Sequence, residues 1–444
     1  MTGRKRRLVC IGAAAAVLLA AGTAGVVRLA SREAAPRAGA WTALPDHGPR
    51  IERVVCVVNS ARRAALRNAA LVTKIVNALP PRVRVSILTN DRAAFTIARD
   101  PHPGRVELVT LPAESNFTIW PQDPFLVLTR PDGKKTLLAS AAFERADDRV
   151  IPERLAAHLG WPRRASELSF EGGNIVCGSR HVFIGAETVR FNAMRLDVSD
   201  EEVVRKFQRE LGRPVLVIGP MPQPVGHIDM ILTALDSGRL ALADPAWGAR
   251  LARKELEEHP EAVAAFERAC EELYFGDPQI RTLRGRGGKA IGPPKVAGRT
   301  SAAADASERI AHHLDRLAGE LRRRGYSVHR VPFLFDRREA KPDVPATSPA
   351  AAGPEPAGKD ETPKPDYPCL TYNNVLMETS DGERLVYLPQ YGWVAMDKAA
   401  REAWAKIGCR AVGVKGLAIS SMYGGSLRCC VKVLQRRRPA PAAR

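Results

Sequence analysis

Tyr423-Gly424-Gly425-Ser426-Leu427-Arg428-Cys429, followed at once by Cys430, is the last of four short motifs that decide how this chain is read. The other three are Trp120-Pro121-Gln122-Asp123, Phe170-Glu171-Gly172-Gly173-Asn174 and Gly226-His227-Ile228-Asp229. Each stands where a strand-like run meets a loop. Taken alone, each has an ordinary structural explanation. Asp123 suits a turn before Phe125, and Glu171 ahead of two glycines suits a tight turn. His227 and Asp229, two residues apart, would share one face of a strand, as many hydrogen-bonded pairs do. Adjacent cysteines are commonly small buried hydrophobes.

Taken together, one thiol, one imidazole and three carboxylates suit attack on a planar, cationic carbon. A guanidinium group needs planar bidentate acceptors, which carboxylates supply. A thiolate can reach the central carbon, and a histidine can protonate the departing nitrogen and then activate water. A free thiol titrates near 8.5, so His227 or the bound cation has to activate it. Metal binding is the competing use of Cys, His and Asp. The His227-x-Asp229 pair lacks a second compact pair at zinc-like spacing, so neither a metal nor a cofactor is expected.

Outward from the motifs the chain alternates β-branched runs with amphipathic segments, an α/β pattern with short strands. IERVVCVV at 51–58 reads as a buried strand and Ala61 to Leu79 as a helix. Strands are predicted at Arg82 to Leu88, Val106 to Leu111, Phe125 to Leu128, Thr136 to Leu138, Ile175 to Ile184 and Pro214 to Ile218. A helix from Ser301 to Arg324 carries Ile310, Leu314, Leu317 and Leu321 on one face. Strands follow at 370–378 and 384–392, then a helix near 396–407. Neither a GxGxxG nor a GxxxxGK[ST] fingerprint is present, which excludes the common dinucleotide and nucleotide cradles. Two stretches read as additions: 248–300, which includes a basic Gly/Pro-rich loop at 279–299, and the Pro/Ala-rich 339–368, expected to be disordered.

The composition is that of a folding chain: 45% apolar residues over 444 positions, with 35 Gly and 34 Pro below the low-complexity range. Eight Cys without a CxxC pair give no disulfide framework. The formal charge of +19 raises nucleic acid as a partner, but three stretches (1–40, 279–299 and 431–444, at +6, +6 and +5) hold nearly all of it. The body is close to neutral, so nucleic acid is not expected as a partner. Arg4, Lys5, Arg6 and Arg7 precede an uncharged run from Leu8 to Val27, the pattern of a signal peptide or signal anchor. Twenty residues rise about 30 Å as a helix, enough to span a bilayer core. The reading is therefore residues 1–30 as a signal peptide or membrane anchor, 31–50 as a linker, 51–435 as the catalytic body and 436–444 as a basic tail. The basic flank stays in the cytosol and the body is exported, periplasmic or extracellular, either secreted or anchored through residues 8–27.

The four motifs, in this order, resemble those of the guanidino-group-modifying enzymes of the pentein superfamily, which include arginine, agmatine and peptidylarginine deiminases. Members are similar in carrying W-x-x-D, E-G-G, G-H-x-D and a terminal G-G-x-x-[HR]-C. TYNNVL at 371–376 and VYLPQYG at 386–392 also look like the strands that precede the nucleophile in agmatine deiminases. The resemblance implies an α/β propeller of five ββαβ modules with pseudo-fivefold symmetry and a site in the central channel. It implies Cys429 as the nucleophile, forming a covalent thiouronium intermediate, and His227 as general acid and then base. It implies that Asp123 and Asp229 grip the guanidinium nitrogens, that Glu171 orients His227 or substrate, that Trp120 packs on the guanidinium plane, and that Asn174 joins the substrate-binding set.

Three departures accompany the match. Gln122 stands where many deiminases have Arg, Arg428 where agmatine deiminases have His, and Cys430 duplicates the thiol next door. Cys429 holds the family position, and in an extended chain Cys430 would point the opposite way, as a packed thiol. The implied activity is hydrolysis of a guanidinium C–N bond in agmatine, arginine or peptidylarginine, releasing ammonia and a ureido product without a cofactor. The alternatives are an amidinotransferase on the same fold and a noncatalytic exported binding module.

Overall fold

The computed structural model describes residues 27–29, 40–58, 68–90, 104–113, 115, 117–141, 145–219, 223, 225–275, 296–335 and 367–437. The uncharged run up to residue 26, most of the basic loop at 279–299, residues 339–366 and residues 438–444 lie outside them. Among the described residues no helix is long and apolar enough to cross a membrane.

Among the described residues the strands form five small sheets, and one order recurs in all of them: two antiparallel strands, a helical connection, and a strand parallel to the second. Phe125–Thr129 pairs with Lys135–Ala139, helix Val150–Leu159 crosses over, and Arg163–Ala165 lies parallel to 135–139. Ile175–Cys177 and Val182–Gly185 do the same through helices Ala186–Leu196 and Asp200–Leu211 to Val215–Ile218. Leu232–Ala234 and Arg239–Asp244 follow, with helices Pro245–Glu258, Pro260–Phe275 and Thr300–Arg323 leading to Ser327–Leu334. Leu376–Ser380, Glu383–Gln390, helix Val394–Lys406 and Arg410–Lys415 make the next sheet. The remaining sheet takes its first strand from the far end of the chain. Val431–Arg436 lies antiparallel to Ile51–Val58, and helix Ala69–Ala78 then leads to Arg84–Thr89 and Val106–Thr110.

Local chemistry sets the helix ends. Ser199 caps helix 200–211 by accepting the Glu202 amide at 3.2 Å, and Gly212 ends it at φ +65°. Asp244 caps helix 245–258 by accepting from the Trp247 amide, with Pro245 in the first turn. Apolar residues of the helices meet the strands in four buried clusters. The largest joins Val54, Ile75, Tyr387 and Trp404.

Three stretches differ from the sequence reading. Residues 40–50 of the expected linker are packed into the body: Ala43 is fully buried, Thr42–Ala43 pairs with Thr129 and Leu128, and Asp46 binds Arg428. Val27–Leu29 pairs with Ile218, Val217 and Leu216 as an edge strand. Nor is the start of 248–300 an addition. Helix 245–258 belongs to the crossover, with Ala249 and Ala252 fully buried and Gly248 lying so close to Phe333 that a Cβ there would collide with the Phe333 carbonyl. Of the expected basic tail at 436–444, Arg436 instead ends the closing strand Val431–Arg436 and is buried.

Candidate active site

All four motifs fall in the connections that lead into the first strand of a sheet unit. Trp120–Asp123 precedes Phe125, Glu171–Asn174 precedes Ile175, His227–Asp229 precedes Leu232, and Tyr423–Cys429 precedes Val431. Repeating one connection therefore brings together residues that are roughly fifty or more positions apart.

Asp123, Glu171 and His227 converge directly. His227 Nε2 lies 2.5 Å from Glu171 Oε2, and His227 Nδ1 lies 3.9 Å from Asp123 Oδ1. Gly172 and Gly173 serve this approach: a Cβ on Gly173 would collide with the His227 ring, and one on Gly172 with the Gln122 carbonyl. The Gly173 amide donates to Asp123 Oδ1 at 3.0 Å and the Gly172 amide to the Asp123 carbonyl at 2.9 Å, locking the two loops together. The expected strand at His227–Asp229 is instead a 3-10 turn over Ile228–Met230. It turns His227 toward Asp123 and Glu171 while Asp229 meets Arg428.

Burial alone would discharge His227, but the Asp123 and Glu171 carboxylates outweigh it and raise the imidazole to about 9. Burial also opposes the charge on Asp123, yet His227 and Arg145 hold its carboxyl below the ordinary range. Asp229 is pushed up by burial against the pull of Arg428, whose Nη1 donates to Asp229 Oδ2 at 2.7 Å. Its Oδ1 is buried and has no hydrogen-bond partner among the described residues.

Cys429 and Cys430 lie in a short helical turn, Leu427–Cys430, and not in extended chain. They still part company: Cys429 belongs to the buried cluster that includes Phe183, Val225 and Ile228, and Cys430 to the one that includes Cys56, Ile75 and Val431. Burial pushes the Cys429 thiol well up, with Asp229 and Asp123 adding to it. A cation placed between these groups would reverse that electrostatic contribution. The half-buried Trp120 touches both large clusters, and its ring lies against Gly425, where a Cβ would collide with it.

Asn174 differs from its expected substrate-binding role. Its Nδ2 donates to Thr188 Oγ1 at 2.7 Å, while its Oδ1 accepts from Gln223 Nε2 at 3.1 Å and from the Ile228 amide at 3.2 Å. It braces the backbone between His227 and Asp229.

Four more residues belong to the site and escaped sequence reasoning. Asn374, fully buried, accepts the Cys429 amide at 3.2 Å through Oδ1. It too stands just ahead of the first strand of a unit, a positional signal the sequence carried. Asp46 accepts Arg428 Nη2 at 3.0 Å through both oxygens. Lys432 Nζ donates to the Gln122 carbonyl at 2.9 Å, and burial with the nearby Arg428 charge lowers it to about 7. Arg145 Nη2 donates to Asp123 Oδ2 at 2.7 Å and pairs with Glu171 Oε1 at 3.2 Å. The ligand atoms of Asp123, Glu171 and His227 all lie within 4.8 Å of one another, a spacing that could hold a metal ion, and the Arg145 guanidinium bridges the two carboxylates of that set.

No family model and no curated protein sequence matches the chain. Solved structures do. Agmatine deiminase of C. jejuni is 13% identical, covering 89% of this chain and 96% of that one with a TM-score of 0.53. Agmatine deiminase of Enterococcus faecalis is 14% identical, covering 88% and 95% with a TM-score of 0.51. A cysteine-to-serine variant of the C. jejuni enzyme with substrate bound matches at 12% identity, 89% and 96% coverage and a TM-score of 0.51. Together with the recurring strand order, these matches show that the chain has the mixed α/β fold of these agmatine deiminase structures.

Proposed function

We propose that this protein is a guanidine deiminase. The observation that carries the reading is the convergence, from separate loops, of an imidazole held between two carboxylates with a buried thiol and a buried carboxylate oxygen, Asp229 Oδ1, that has no partner among the described residues. A guanidinium is a planar cation with several N–H donors, and it matches such an acceptor set.

In this reading the five sheets are five ββαβ modules of a propeller, with the site at its centre. The guanidinium docks on Asp229 and Asp123 with its plane against Trp120, and its charge lowers the neighbouring Cys429 thiol toward the thiolate. The thiolate attacks the central carbon. Protonated His227, oriented by Glu171, gives its proton to one nitrogen, which departs as ammonia and leaves a covalent thiouronium on Cys429. Neutral His227 then takes a proton from water, the hydroxide adds to the same carbon, and collapse to the ureido C=O expels the Cys429 thiolate. The net change consumes one guanidinium and one water and yields one ureido product and one ammonium ion. Substrates fall in the class of agmatine, arginine or peptidylarginine. The basic cluster and uncharged run at residues 4–27 support a location of this chemistry outside the cytosol.

The test is ammonia and ureido-product formation by the full chain on arginine, agmatine and an arginine-containing peptide, with Cys429→Ala and Cys430→Ala alongside. Turnover should vanish in Cys429→Ala and survive in Cys430→Ala. A folded protein without ammonia release on any guanidine would sink the reading in favour of amidino transfer or a binding role.

A further inference from the structure

The acceptor set of the site is not empty of guanidinium: the chain supplies one of its own. Arg145 reaches Asp123 Oδ2 and Glu171 Oε1 with one nitrogen, and its Nε lies 3.1 Å from Asp148 Oδ2. Asp148 is fully buried and anchors this arrangement, because its Oδ1 accepts the Thr118 amide at 2.6 Å and its Oδ2 accepts Thr118 Oγ1 at 2.7 Å, two residues before Trp120. The Arg145 side chain is 29% exposed and that of Glu171 38%, while that of Asp123 is 3% exposed. Arg145 thus lies on the solvent side of Asp123. Of the carboxylates the proposed chemistry needs, two are engaged by Arg145, and only Asp229 offers an oxygen without a partner among the described residues.

We infer that Arg145 is a resident competitor for the carboxylates of the site: a substrate guanidinium gains Asp123 and Glu171 only by exchanging with it. The inference rests on the deiminase reading for its substrate class. Exchange of one guanidinium–carboxylate contact for another is nearly neutral, so net affinity has to come from the rest of the substrate, and from Asp229. A bare guanidine therefore binds weakly, and a substrate with further contacts beyond the guanidinium is selected. A bracing role for Arg145 would give the opposite result on its removal, because a loosened site loses affinity for every ligand.

The test is calorimetric titration of methylguanidine and agmatine into the full chain carrying Cys429→Ser, with and without Arg145→Gln, at constant ionic strength. Methylguanidine and agmatine should each bind at least about tenfold more tightly when Arg145 is gone, the scale of a hydrogen bond to a charged group, with the ratio of their affinities little changed. Unchanged or weaker methylguanidine binding overturns the inference. If Arg145→Gln does not fold, Arg145→Lys loses the planar fork but keeps a charge that still competes, so a smaller tightening is expected from it and its absence overturns the inference. Ammonia release by the chain with Cys429 intact separates the two ideas. Tighter binding in Arg145→Gln without turnover by either form leaves the exchange standing and removes the deiminase reading. Turnover with a raised KM in Arg145→Gln keeps the deiminase reading and overturns the exchange, making Arg145 a binding group.

Discussion

His227 is the residue whose charge depends most on company. Its imidazole titrates near 6.5 in an unfolded chain and at about 9 here, because Asp123 and Glu171 outweigh the effect of burial. A raised folded value means that the charged pairing stabilises the fold fully below pH 6.5, progressively less between 6.5 and 9, and not at all above 9. The span corresponds to about 3 kcal/mol. Urea unfolding of the wild type and His227→Gln should therefore show a stability gap at pH 6 that shrinks by about that much at pH 10. A gap that does not change with pH would mean that the imidazole is not held charged by the two carboxylates. Asp123, Glu171 and His227 were legible because each sits in a motif whose residue types already name a chemistry. Arg145 was not, because it stands 22 residues from Asp123 in a stretch with no motif, and only the fold delivers it. Asn174 was legible as a motif member but not in its role, since the partners that occupy its carboxamide, Thr188 and Gln223, lie well downstream.

Elements were readable where one period dominates a long run. IERVVCVV matches strand 51–58 to the residue, because a largely β-branched run, buried without interruption from Val54 to Val58, has no competing helical pattern. Ile175 to Ile184 reads as one strand but is a hairpin, broken at Gly178-Ser179-Arg180-His181, where the Gly178 amide donates to the His181 carbonyl at 2.9 Å. Helix 245–258 was hidden among apparent additions because its alanine- and glycine-rich buried face gives a weak apolar signal. That face is nonetheless specific. Replacing a helical glycine with alanine ordinarily stabilises by about 1 kcal/mol. At Gly248 the new methyl would meet the Phe333 carbonyl, so the helix must move off strand 327–334, with overpacking that costs about 1–3 kcal/mol. Gly248→Ala should lower the thermal midpoint. A rise would show that the helix can slide without loss.

The whole molecule is closed by residues from opposite ends of the chain. Val431–Arg436 pairs with Ile51–Val58, and Arg428 is held between Asp229 and Asp46, the latter 382 positions away in sequence. Removing one partner from a buried ion pair costs about 3–5 kcal/mol. A chain beginning at Trp41 should accordingly unfold in urea near the full-length midpoint, whereas one beginning at Ile51, which leaves Arg428 without Asp46, should lose stability on that scale. Equal stability of the two would show that Asp46 contributes nothing to Arg428. The recurring strand–strand–helix–strand order was visible in the sequence as alternation. The join between its ends was not, because periodicity reports neighbours along the chain and the closing contact is the most distant one available. This closure also sets an order of assembly. Strand 51–58 is synthesised long before Val431–Arg436, so its outer edge waits uncovered until that strand arrives, and Cys429, two residues ahead of Val431, comes into place with it.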